Sequence, residues 1–237
     1  MDLVKSASLR IARVRERIVG PKLRPRRYLE TESLIEFFCY LNKSSVSYVI
    51  LRWFDDLPTL AKGEDLDLII QDDETRYFNG LALFNKGGLV PFDVYSVSGL
   101  KGTAYRNSIP YFAPKLSKQI LHRRQLYKEH FFVPCFSDHL MSFLYHCVFH
   151  KGLKAGLEPG VVLKPDLLAS ERKRVGKDYL GEIKRLAIRA STDLPGFDLA
   201  SLTCFLRSTN WVPDRRSVKV LCRYNPWVQI AIKNGLL

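Results

Sequence analysis

Two aspartates, two residues apart, open an otherwise apolar stretch, Gly63-Glu64-Asp65-Leu66-Asp67-Leu68-Ile69-Ile70. On a β-strand residues i and i+2 share a face, so Asp65 and Asp67 point one way while Leu66 and Leu68 pack on the other. A third acid, Asp93, stands alone inside a second apolar run, Val90-Pro91-Phe92-Asp93-Val94-Tyr95. Like charges this close repel each other, and burial beside a hydrophobic strand worsens the repulsion unless a cation neutralises it. Magnesium or manganese, hard ions that seek oxygen ligands, suits three carboxylates. A two-metal site of this kind positions a triphosphate, lowers the pKa of an attacking hydroxyl and stabilises in-line displacement at phosphorus.

The elements that must position these acids are legible from periodicity. Leu34, Ile35, Phe37, Phe38 and Leu41 form a helical apolar stripe within a helix expected over 31–41, with Thr31 and Ser33 as candidate caps. A turn at Asn42 to Ser45 leads into a strand over 46–51, and a loop over 55–63 contains Pro58 and Gly63. The strand carrying the acid pair spans 66–70. Asp72, Asp73 and Glu74 then open a short helix toward Phe84, and Lys86-Gly87-Gly88 turns the chain into a third strand over 90–97. That strand begins at Pro91, a position tolerated at a sheet edge. Beyond residue 112 the pattern is helical, with helices expected over 114–124, 137–151, 165–190 (broken near Gly176), 198–208 and 213–232. The fold class is α+β: a small mixed sheet with flanking helices, then a helical domain. The expected divisions are a basic N-terminal arm at 1–29, an α/β domain at 30–112 and a helical domain at 113–237.

The order strand, loop, Asp65-Leu66-Asp67-Leu68 strand and later strand with a lone Asp93 resembles the nucleotidyltransferase superfamily that includes DNA polymerase beta. The resemblance covers about residues 30 to 98. It implies magnesium-dependent transfer of a nucleotidyl group from an NTP to a hydroxyl or phosphate acceptor. Asp65 and Asp67 would hold both metals, and Asp93 would bind one metal and help deprotonate the acceptor. The superfamily ends the strand before its acid pair in a Gly-Ser or Gly-Gly turn that holds the phosphates. This chain has Leu51-Arg52-Trp53-Phe54 there, so Arg52, with its guanidinium fork, and Lys62 are the expected phosphate contacts. A non-catalytic binding protein of the same fold, a transferase of another phosphate-linked group and a sugar transferase using the D-x-D metal site are the alternatives.

His139, His146 and His150 lie at i, i+7 and i+11 of the helix expected over 137–151, with Ser137 or Asp138 as cap and Gly152 as stop. An H-x-x-x-H pair can chelate a metal, but the motif lacks the glutamate of a zinc protease, and core histidines are the plainer reading. The end of the helix, His150 and Lys151, is expected to line a cleft facing the acids and meet phosphate. Tyr105, Arg106, Tyr111 and Lys115 either stack on a base or pack a loop; packing is preferred.

The formal net charge of +13 over 237 residues is unevenly spread. Residues 1–27 carry nine Lys or Arg against Asp2 and Glu16, a net +7. Such an arm suits an anionic partner, with Leu9, Val14 and Ile18 spaced for a weakly amphipathic helix that Pro21 and Pro25 would end. The acceptor class stays open among a small molecule, a glycan precursor and RNA. No apolar run is long enough for a transmembrane segment, and arginines interrupt any signal-like core. Five cysteines, spread out and with no C-x-x-C pair, indicate reduced thiols and a cytoplasmic location. Cys147 and Cys204, in apolar stretches, are expected to be buried.

Overall fold

The structure is a computed structural model that describes residues 26–29, 33–61, 64–78, 90–172 and 177–237. The helix expected around Leu9 to Ile18, the turn at Lys86-Gly87-Gly88 and Lys62 lie outside the described residues.

A four-stranded mixed sheet forms the centre. Strand β1 (Arg26–Leu29) is followed by helix α1 (Leu34–Lys43), β2 (Tyr48–Ile50) and β3 (Leu66–Ile70). A 3-10 turn (Asp72–Glu74) and α2 (Thr75–Phe78) precede β4 (Val90–Ser96). The spatial order is β1-β4-β3-β2, with β3 and β4 parallel and both outer pairs antiparallel. Helix α1 starts later than expected because the Ser33 side chain accepts a hydrogen bond from Glu36 N, which sets the first turn.

Strand β1 falls in what the sequence presents as a basic arm. Its register against β4 pairs Arg26 with Asp93 and Arg27 with Phe92. Arg27 is buried and donates from Nη2 to the Gly102 carbonyl at 2.7 Å, which pins the strand. A dense run of arginines masked the strand, since charge dominates any reading of R-R-Y-L. Strand β4 is consequently internal, flanked by β1 and β3. Pro91 sits opposite Tyr28 near the start of β4.

The helical half continues with α3 (Pro114–His122), a hairpin of β5 (Gln125–Tyr127) and β6 (Phe131–Val133), and α4 (Phe136–Tyr145). Then come α5 (Pro165–Arg172), α6 (Tyr179–Arg189), α7 (Leu199–Ser208), α8 (Arg215–Leu221) and α9 (Pro226–Lys233). The hairpin was not expected, although two apolar runs flank Lys128-Glu129, both at positive φ. The helix expected over 213–232 is two helices. Asn225 accepts Trp227 N–H at 3.0 Å as a cap and Pro226 begins a new first turn, which breaks the helix there.

The sheet has a core on each face. Leu66, Leu68, Ile70, Phe92 and Val94 pack against Phe38 and Leu41 of α1. Val49, Ile69 and Tyr95 point the other way, into one continuous core with α3, α4, α6 and α7. The helices and the second face of the sheet therefore share a single core across residue 113. Among the described residues no helix is long and apolar enough to cross a membrane. Cys147 is buried, but Cys204 is exposed, which corrects its expected burial: it lies on the outer face of α7.

Candidate active site

Two-residue periodicity places Asp67 on the same face as Ile69, and Asp93 on the same face as Tyr95, both toward the helical core. The parallel register sets Asp67 directly opposite Asp93. Neighbouring strands run about 4.8 Å apart, so the two carboxylates are unavoidable neighbours. Asp65 lies just before β3 and joins them through a shared cation, Arg26. The guanidinium of Arg26 contacts Asp93 through Nε and Nη2, with Nη2 3.0 Å from Oδ2, and Nη2 also reaches Asp65. The three acids predicted from sequence are thus brought together by the fold.

Arg52 neutralises the same cluster from the opposite side. Leu51 N donates to Asp67 O at 2.9 Å, extending the β2–β3 ladder and bringing the next residue, Arg52, beside the acid pair. Arg52 Nη2 lies 2.7 Å from Asp67 Oδ2, and both residues are only 7% exposed. The guanidinium also lies over the Tyr111 ring, 5.4 Å from its centroid. This corrects the role expected of Arg52: a buried guanidinium already paired with Asp67 has little left to offer a phosphate.

Burial by itself would lower Arg52, but Asp67, supported by Tyr111, Tyr95 and Asp65, holds it above its usual range. Burial pushes the Asp67 carboxyl up to about 6, with Asp65 and Asp93 adding to the rise and Arg52 opposing it. Of these two shifts the one on Asp67 has consequences, because arginine stays charged at every working pH.

Trp53 follows Arg52 with φ 54°, the left-handed backbone that glycine adopts most easily. A non-glycine residue in this conformation costs about 1–2 kcal/mol. Neighbours hold it there: the Trp53 ring packs edge-on against Phe143 at 5.4 Å and Tyr179 at 6.1 Å, with Lys177 Nζ 4.6 Å from its centroid. Lys177 also pairs with Glu64, the residue before Asp65. Sequence reasoning missed Trp53, Lys177 and Arg26 at this rim, since nothing local ties positions 26 and 177 to the acid strand.

Helix α4 passes into a π-helical turn, His146–Lys151, beside the cluster, and π-turns recur at functional sites. His150 does not reach the cleft. Its Nε2–H donates to the Tyr111 carbonyl at 3.0 Å and its ring stacks on Tyr111 at 4.2 Å. The expected phosphate contact by His150 is corrected: the side chain is core. His146 Nδ1 and the Tyr111 hydroxyl share a hydrogen bond of 2.6 Å, and His139 packs on Phe54 at 4.7 Å. Tyr105 packs edge-on against Tyr111 and His150, so this loop is packing. Lys151, by contrast, is half-buried, with no hydrogen bond or ion pair to any described residue. Burial and Arg52 lower its pKa, while Asp67 and Asp65 pull the other way, so it senses the acids.

The three buried histidines make folding sensitive to acid. Burial lowers His139 to about 3 and His146 and His150 well below their ordinary range. The unfolded chain takes up these three protons near pH 6.5, while the folded chain refuses them, so stability is full above that pH and falls below it. Asp67 has the opposite sign, because between about 4 and 6 the folded carboxyl holds a proton the unfolded one has lost. Three histidine protons set against one carboxyl proton predict a net loss of stability as the pH falls below about 6. Urea midpoints at pH 7.5, 6.0 and 5.0 measure this, and a flat profile would show that the histidines are not held neutral.

Oxygen donors in this number and charge suit a divalent cation. Among the described residues, however, no three acidic, histidine or cysteine side chains converge at coordinating positions. The Arg26 guanidinium stands between Asp65 and Asp93, so a cation bridging those two acids would have to displace it. Comparison with known proteins finds no matching family model, no matching curated sequence and no matching solved structure. The chain is a mixed α+β protein whose sheet carries a carboxylate cluster countered by two arginines.

Proposed function

We propose that this chain is a magnesium-dependent nucleotidyltransferase, taking an NTP as donor and a hydroxyl or phosphate as acceptor. The observation that carries this reading is the register of Asp67 opposite Asp93 on adjacent parallel strands, with Asp65 tied into the same cluster. Three carboxylates gathered at one end of apolar strands repel one another, and a bound cation relieves that repulsion. Asp65, Asp67 and Asp93 would hold the cation, which when bound neutralises triphosphate charge and favours attack at phosphorus. Lys151, half-buried and without a hydrogen bond or ion pair among the described residues, binds the donor's phosphate oxygens. Arg52 keeps Asp67 ionised and oriented. Asp93, the more exposed member of the opposed pair, takes the proton from the acceptor hydroxyl.

A second, non-catalytic reading has an observation in its favour: Arg26 and Arg52 already compensate the acids without any metal. One experiment separates the two. Thermal shifts of the protein are measured with ATP, GTP, CTP and UTP, with and without magnesium, alongside manganese titrations of wild type and Arg26→Gln. The enzyme reading expects stabilisation by at least one nucleotide that depends on magnesium, and manganese affinity about tenfold tighter in Arg26→Gln, where the competing guanidinium is gone. No nucleotide shift, with manganese binding unchanged or weaker in the variant, would favour the binding protein.

A further inference from the structure

At the opposite end of β3 from the acids, an open depression of about 390 Å³ is walled by cations. Ser47 and Gln71 line it where the chain enters β2 and leaves β3. Lys118 and His122 stand four residues apart on α3, on one side of the helix and both exposed. Arg124 closes it, its guanidinium carbon 4.6 Å from the centre of the Phe132 ring. Among the described residues no Asp or Glu lines the depression.

Arg124 is held in a particular way. Its Nη1 donates to Ser47 Oγ at 2.5 Å and to the Leu121 carbonyl at 3.3 Å. Nε and Nη2 make no hydrogen bond to the described residues, and no carboxylate lies within ion-pairing distance of the guanidinium among them. The carboxylate of Glu74 acts on it through space, its Oε1 accepting Ser47 N–H at 3.3 Å. A half-buried guanidinium fixed by stacking and two carbonyl or hydroxyl acceptors, with donors to spare, is preorganised for a tetrahedral oxyanion. Lys118 and His122 add donors across the opening, and the Gln71 amide adds two more.

We infer that this depression is a binding site for a phosphate group, either inorganic or carried as a monoester on a small molecule. Gln71 lies four residues beyond Asp67, roughly 13 Å along the strand, so a phosphate held here does not reach the carboxylates. The site therefore rests on observations independent of the proposed transferase activity.

Calorimetric titration with inorganic phosphate and with AMP, without divalent metal and at low ionic strength, tests it. Wild type is expected to bind one phosphate. Lys118→Ala/His122→Ala, two changes on an exposed helix face, should weaken that binding about tenfold, as should Arg124→Gln. AMP that competes with phosphate and binds more tightly identifies a monoester ligand; AMP that competes without binding more tightly identifies the phosphate group alone. Arg215→Ala/Lys219→Ala removes two exposed cations at the same spacing on α8 and should leave affinity unchanged. No binding by wild type, or equal weakening in the α8 variant, would overturn the site and reduce the effect to the protein's general positive charge.

Discussion

Asp93→Asn is expected to lower magnesium-dependent nucleotidyl transfer by about 10³-fold, the several kcal/mol that charge stabilisation by a bound cation contributes. The fold should survive this change. Asp93 is partly exposed and its partner Arg26 is more so, with side-chain exposures of 19% and 40%, so the ion pair is worth little to stability. Asp67→Asn is the less informative variant, despite its central place in the sequence motif. It would leave Arg52 buried without its counter-charge, and loss of activity would then be confounded with loss of structure. The measurement is turnover of Asp93→Asn beside its urea midpoint. Wild-type turnover in a folded Asp93→Asn protein would remove this aspartate from the mechanism.

The largest stability effect is expected at Arg52. Arg52→Leu leaves the Asp67 carboxylate alone in the protein interior, a cost of about 3–5 kcal/mol for a broken buried pair. The pH dependence identifies the cause. An unpaired Asp67 has its pKa raised further, so the penalty is full above that raised value and shrinks as the pH falls toward about 6, where the wild-type carboxyl also takes up its proton. The difference between variant and wild type should therefore narrow from pH 7.5 to 5.5; Arg52 also lowers His139, His146 and His150, so its loss eases their burial in acid and narrows the difference in the same direction. Arg52→Leu/Asp67→Leu should recover most of the loss, since two apolar side chains need no partner. A variant penalty that is independent of pH, or a double variant as unstable as the single, would assign Arg52 a packing role over Tyr111 instead.

Much of the carboxylate cluster was readable from residues close in sequence. The alternation in Asp65-Leu66-Asp67-Leu68 dictates which side chains share a face, and the core on the α1 side does take Leu66 and Leu68. The run before β2, the acid strand and the lone aspartate of β4 are each local patterns. The same locality explains the errors. His150 and Lys151 are neighbours that looked equivalent, yet a π-helical turn sends one into the core against Tyr111 and leaves the other beside the acids. The helix expected over 213–232 failed at Asn225-Pro226, where a cap and a proline coincide.

The sequence by itself determined a mixed α+β chain, the β-strand that carries Asp67 with Asp65 just before it, the second strand with Asp93, and a strongly basic N-terminal stretch, because backbone periodicity and charge are properties of neighbouring residues. Only the tertiary structure decided what faces those acids. Strand β1 delivers Arg26 from 67 residues before Asp93, the β2–β3 ladder sets Arg52 on Asp67, and Lys177 reaches Glu64 from 113 residues away. Register across a sheet and the packing of helices on it depend on the whole core being buried at once. For that reason the counter-charges, and with them the stability and pH response of the cluster, were invisible until the strands were paired.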